Sequence, residues 1–187
     1  MNKKYEIIDN FLEEEVFSNI KKIFFPVDEE QDKLPWRRKE GIVRDPNLGK
    51  TGYEEHDWMY NHCFISSEKN KVSEYKFLID PIIDKLKAVR IIDACANLLV
   101  PTDKHIHHED HVDRDNPHSV ALLYMTTNNG YTCLKETAEV NCIENRMLIF
   151  DGSIYHHSVS STDELRCVIN INFIPSLKVG KTHFYYN

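Results

Sequence analysis

Ser119-Val120-Ala121-Leu122-Leu123-Tyr124-Met125-Thr126-Thr127-Asn128-Asn129-Gly130-Tyr131-Thr132-Cys133-Leu134 carries the strongest structural signal in this chain. It reads as two apolar, β-rich runs on either side of an Asn-Asn-Gly turn, residues that tolerate the backbone angles a chain reversal needs. Similar runs flank it: Ile91 to Val100 before, Met147 to Phe150 and Arg166 to Ile174 after, with Asp151-Gly152-Ser153 as another turn signal.

Before residue 91 the character differs. Tyr5 to Asp9 predicts a short strand, and Asn10 is placed to cap a helix whose apolar residues Phe11, Leu12, Val16, Phe17, Ile20, Ile23 and Phe24 recur at helical spacing. Trp58 to Ile65 predicts another strand. Val72 to Val89 has amphipathic helical spacing through Tyr75, Phe77, Leu78, Ile82, Ile83, Leu86 and Val89, which Pro81 must kink or break into two short helices. Pro26 to Glu55, rich in charge, Pro and Gly, reads as a long irregular segment. With Trp36 and the basic run Arg37-Arg38-Lys39 it is a candidate substrate lid or an ordinary loop. Helices first and strands after predict a mainly β fold with flanking helices, a sandwich or barrel braced on one outer face. At 187 residues the chain suits one domain, 1–187, with helical support and loop over 1–90 and a core over about 91–175.

Apolar residues at 41% and charged residues at 28% are the proportions of a soluble globular protein. A net charge of −7 argues against a protein that works by neutralising phosphates, so there is no strong nucleic-acid signature. Cys63, Cys95, Cys133, Cys142 and Cys167 form an odd set without CxxC spacing and read as buried thiols in a reducing compartment. With no signal-peptide core after Lys3-Lys4 and no membrane-length apolar run, the expected location is the cytoplasm.

Five of the ten histidines fall between residues 105 and 118, beside Glu109, Asp110, Asp113 and Asp115. This is metal-ligand composition, although a polar surface loop shares it. His111-Val112-Asp113 puts an imidazole and a carboxylate at i and i+2, on the same side of an extended chain. A distant histidine, His156 or His157, would complete a two-histidine, one-carboxylate facial set with open coordination positions. His108-Glu109-Asp110 has the same HxD spacing, so spacing alone leaves both open.

In the last strand Leu165, Cys167, Ile169, Ile171 and Phe173 alternate with Arg166, Val168, Asn170 and Asn172. Alternation does not say which face points inward. If Arg166 does, its charge requires a carboxylate, and a dicarboxylic cosubstrate would supply one. Read as a hairpin turn, Ser160 to Glu164 would pair the strand around His156 with the strand starting at Arg166, about 10 Å away along the strand.

HxD, a distal His and a basic residue ten positions beyond it resemble the pattern of the prolyl-4-hydroxylase-like branch of the 2-oxoglutarate/Fe(II) oxygenases, particularly its small viral and bacterial members. His111, Asp113, His156 and Arg166 match, and the spacing selects His156 over His157. Val120 to Thr132 resembles the strand and glycine turn after HxD, Arg146 to Asp151 the strand before the distal histidine, and Ile7 to Leu12 the opening. Asn129 stands where a second glycine is common, and His157 where a small residue is. The resemblance implies a double-stranded β-helix, or cupin-like jelly roll, holding Fe(II) through His111, Asp113 and His156. It implies 2-oxoglutarate and O2 as cosubstrates, with Arg166 clamping the far carboxylate and Tyr124 and Asn97 as further donors. The implied activity is a dioxygenase that hydroxylates an unactivated C–H bond, with a peptidyl proline the leading substrate and a small molecule or nucleobase as alternatives. In a viral member the location would be the host cytoplasm. The rival from another class is an inactive jelly-roll binding module; a zinc or nickel hydrolase or isomerase would not need Arg166.

Overall fold

The computed structural model describes residues 5–28, 32–41 and 58–176. In chain order the elements are β1 (Tyr5–Ile8), α1 (Glu14–Phe24), β2 (Arg37–Glu40), β3 (Trp58–Ser66), β4 (Lys71–Val72), a 3-10 turn (Glu74–Leu78), α2 (Asp80–Leu86), β5 (Ala88–Leu99), β6 (Ser119–Tyr124), β7 (Tyr131–Leu134), β8 (Ala138–Asn141), β9 (Met147–Asp151), β10 (His156–Val159) and β11 (Arg166–Pro175). The larger sheet runs β1-β9-β6-β11-β5-β3-β2, with β4 on β3, and the smaller runs β10-β7-β8. Every pairing is antiparallel. The segment before β6 adds bridges His107 to Val159 and His111 to His156, so it extends the smaller sheet along β10. Two such sheets packed face to face make the jelly roll.

The larger sheet is covered on both sides, which is why all six residues of β6 are buried. On the outer face Phe17, Ile20 and Phe24 of α1 and Ile82 and Leu86 of α2 join a core with Ala94, Ala96, Ala121, Ile169 and Ile171. The alanines leave room for the helical side chains. On the inner face Val120, Leu122, Tyr124, Leu148, Phe150 and Val168 meet Leu134 and Val140 of the smaller sheet. The apolar side of β11 therefore faces the helices, and its polar side, with Arg166, faces the interior of the sandwich.

Pro81 breaks the 72–89 region as its ring requires, sitting in the first turn of α2, where its missing N–H costs nothing. Three expectations need correction. Asn10 does not cap α1: it takes a left-handed φ of 51°, and the helix starts after Glu13 without a side-chain cap. Phe11 and Leu12 are instead held by Asn145, whose carbonyl accepts from Phe11 N and whose side chain bonds both the N–H and C=O of Leu12. Within the 26–55 segment Arg37-Arg38-Lys39 lies in β2, and Trp36 packs edge-on against Phe24 on the helix side, away from a lid position; residues 29–31 and 42–55 of the expected lid lie outside the described residues. Finally, β10 and β11 do not form a hairpin. His156 pairs with Leu134, while β11 lies between β5 and β6, so residues 160–165 carry the chain from one sheet to the other.

Candidate metal centre

The bridge between the 105–118 segment and β10 builds the site. His111 N donates to His156 O at 3.0 Å and His156 N to His111 O at 2.9 Å, placing the two residues directly opposite. Their rings lie 4.6 Å apart, centroid to centroid. Asp113, two residues on, brings Oδ1 to 3.5 Å from His111 Nε2 and 3.8 Å from His156 Nε2. One ligand atom from each of the three lies within 4.8 Å of the others, the one such group among the described residues.

The surroundings set the ring tautomers. His111 Nδ1 contacts Glu109 O at 3.0 Å and His156 Nδ1 contacts Ile154 O at 3.1 Å. A carbonyl can only accept, so each Nδ1 carries the proton and each Nε2 keeps its lone pair for a metal. Asn170 Nδ2 donates to Asp113 Oδ2 at 3.0 Å, turning Oδ1 toward the imidazoles. Burial raises the Asp113 carboxyl, but the His111 hydrogen bond, the His156 charge and Asn170 outweigh it, and the group stays far below the usual carboxylate range. Burial lowers His156. It also lowers His111, but there the bonds to Asp113 and Glu109 win and the net shift is upward. The centre holds an anion that cannot readily protonate beside two rings that can be neutral, which is what a divalent cation requires.

The competing residues lie elsewhere. His157 Nδ1 bonds Asp110 Oδ1 at 2.7 Å, and Asp110 also pairs with Lys135 at 3.1 Å. His108 Nδ1 is held by Ser158 O at 2.7 Å and Oγ at 2.8 Å. Neither His108 nor Asp110 joins the cluster, because alternation along an extended chain turns them away from the side that His111 and Asp113 share.

Arg166 points inward and is 3% exposed. Its Nη2 donates to Thr132 Oγ1 at 2.9 Å and reaches Tyr131 O at 3.5 Å. Tyr124 OH donates to the same Thr132 oxygen at 2.8 Å, and burial pushes that phenol well above its ordinary value. Arg166 Nε is buried with no partner, and no carboxylate of the described residues forms an ion pair with this guanidinium. Asn170 lies four residues along the same face of β11, about 13 Å at strand rise. Asn97 faces the same interior: it stands opposite Val168 and accepts from Asn61 Nδ2 at 2.8 Å. Thr132, Asn170 and Asn61 were not singled out from sequence. Thr132 had a signal, since a hydroxyl residue in a short apolar strand must find a buried partner.

The donor set fits a divalent ion with open positions, and the unpaired guanidinium fits a carboxylate. No protein-family model matches the chain, and no curated protein matches it in sequence. Solved structures do match. A Trichoplax adhaerens prolyl hydroxylase in complex with a hypoxia inducible factor peptide superposes with TM-score 0.59 at 12% identity, over 92% of this chain and 84% of that one. A viral collagen prolyl hydroxylase from Paramecium Bursaria Chlorella virus-1, in complex with 2OG, gives 0.53 at 12% identity, over 93% and 97%. The non-heme alpha-ketoglutarate-dependent carbocyclase SnoK from nogalamycin biosynthesis gives 0.60 at 11%, over 96% and 85%. The chain shares the fold of these enzymes. No described helix is long and apolar enough to cross a membrane.

Proposed function

We propose that the chain is an Fe(II)- and 2-oxoglutarate-dependent dioxygenase that hydroxylates an unactivated C–H bond. His111, Asp113 and His156 hold the iron, and Arg166 holds the far carboxylate of the cosubstrate. The observation that carries this reading is a buried guanidinium, lacking a carboxylate among the described residues, on the same strand face as the asparagine that orients the metal-binding aspartate. An inactive binding module or a hydrolase has no use for that cation.

When bound, Fe(II) would supply O2 activation coupled to decarboxylation of 2-oxoglutarate to succinate and CO2. The chain's own residues do the rest. Asn170 and the Glu109 and Ile154 carbonyls fix the ligand orientations. Thr132, braced by Tyr124, fixes the guanidinium so that its remaining N–H groups face a carboxylate. In this reading Asn97, whose amide N–H remains free to donate, lines the cosubstrate pocket as a further donor, while Tyr124, whose single O–H donates to Thr132 Oγ1, acts as the brace of the guanidinium and not as a second donor.

A peptidyl proline is the leading substrate, on the likeness in fold to prolyl hydroxylases, one of them bound to a peptide. The equally good superposition on a carbocyclase favours a small molecule as the second reading. Anaerobic addition of Fe(II) and 2-oxoglutarate should produce a visible charge-transfer band, and admission of air should release succinate. A folded sample that does neither is a binding module. Mass spectrometry of proline-containing peptides, small molecules and nucleosides after turnover identifies the substrate by the gain of one oxygen atom.

A further inference from the structure

Two cysteines line the same interior wall. Cys63 on β3 and Cys95 on β5 are direct cross-strand partners, both partly exposed, one row along from the Asn61 and Asn97 pair. On its other side Cys95 stands opposite Asn170, which holds Asp113. The remaining cysteines are placed differently: only Cys142 and Cys167 are buried as the sequence leads one to expect of all five, and Cys133, partly exposed like Cys63 and Cys95, stands opposite His157 on the smaller sheet. We propose that Cys63 and Cys95 are a dithiol site on the wall of the metal centre that closes to a disulfide by exchange with a small-molecule disulfide.

Directly opposed residues of an antiparallel pair have Cα atoms about 4.5–5.5 Å apart, inside the range that disulfides span. The register between β3 and β5 shifts immediately after Cys63, an irregularity of the kind that interrupts the ladder and bends the strand beside the pair. The sulfurs already interact: the Cys95 contact draws the Cys63 thiol down to about 7, while the same contact and burial push Cys95 up. As a thiol, Cys63 donates to Ile65 O at 3.4 Å. The two thus differ in role, an ionisable attacking thiol and a protonated resolving one.

The exchange balances in two steps. Cys63 thiolate attacks one sulfur of the small disulfide, forming a mixed disulfide and releasing one small thiolate. Cys95 then attacks the Cys63 sulfur and expels the second, its proton passing to a departing thiolate. The protein's dithiol is oxidised by two electrons and the small disulfide is reduced to two thiols.

The test uses the whole reduced chain, glutathione disulfide as probe, and intact and peptide-level mass spectrometry. The expected product has lost two hydrogens, carries a Cys63–Cys95 linked peptide and returns to the starting mass with dithiothreitol. Cys95→Ser should stall with one glutathione on Cys63, and Cys63→Ser should form no link, each variant being checked for an unchanged melting curve. The wild-type chain remaining unmodified, stalling as the mixed disulfide, or linking other cysteines would overturn the proposal. The assay requires no turnover: a chain that forms this bond yet releases no succinate refutes the oxygenase reading alone, and the reverse result refutes only the dithiol.

Discussion

Arg166 concentrates the chemistry of the chain in one side chain. Burying a guanidinium without a carboxylate costs several kcal/mol, offset only in part by Thr132 Oγ1 and the Tyr131 carbonyl. Arg166→Met removes that charge at nearly constant volume. The 2-oxoglutarate affinity, read from the charge-transfer band, should fall about thirtyfold or more, the scale for truncating one member of a buried charge pair. Metal affinity should change little, and equal loss of both would assign Arg166 a structural role. Cys63 allows a pH prediction. Its reactive form is the thiolate and its thiol is lowered from 9.0 to about 7, so alkylation should rise with pH to half its plateau near neutrality. In Cys95→Ala, which removes the stabilising contact, the midpoint should move upward, measured by the rate of iodoacetamide labelling at Cys63. The sequence made the inward need of Arg166 legible, since a buried cation demands a partner, but not its face. Alternation is symmetric, and only the helices packed on Cys167, Ile169 and Ile171 show which side is the interior.

At the scale of elements, the strands built from apolar and β-branched residues were readable from period and turn residues. Those held mainly by pairing were not. β8 (Ala138–Asn141) and β2 (Arg37–Glu40) have little apolar pattern and exist because a neighbouring strand offers its open edge. The link after β10 is ambiguous in sequence, because a short turn-like stretch looks the same whether it closes a hairpin or crosses between sheets. Consequently the reach from His156 to Arg166 runs across the sandwich instead of along one hairpin. The start of α1 is hidden for a related reason: Asn145, 133 residues from Leu12, supplies the hydrogen bonds expected of Asn10. Asn145→Ala strands a buried N–H and a buried carbonyl of Leu12, so unfolding in urea should show a loss of about 2–3 kcal/mol. Metal affinity should be nearly unchanged, because Leu12 and α1 pack on the outer face of the larger sheet, opposite the metal-binding residues.

For the whole molecule, the candidate metal centre lies at a seam. His156 belongs to the smaller sheet, His111 to the strip that extends it, and Asp113 is tied through Asn170 to β11 of the larger sheet. An ion held by all three residues would join the two sheets, and in the unfolded chain His156 is separated from the adjacent His111 and Asp113 by more than forty residues, so binding should favour the folded state strongly. At a metal concentration of 100 times Kd the added stability is about 2.7 kcal/mol. For a chain of this size that corresponds to a rise in Tm of about 5–10 °C. The measurement is thermal unfolding under anaerobic Fe(II), or with air-stable Mn(II) as a stand-in. His156→Ala should abolish the rise, whereas His157→Ala, which removes a ring bonded to Asp110 and His107 on the other side of the strand, should keep it. If the two variants respond alike, the ion does not sit between the sheets, and the assignment of His156 fails with it.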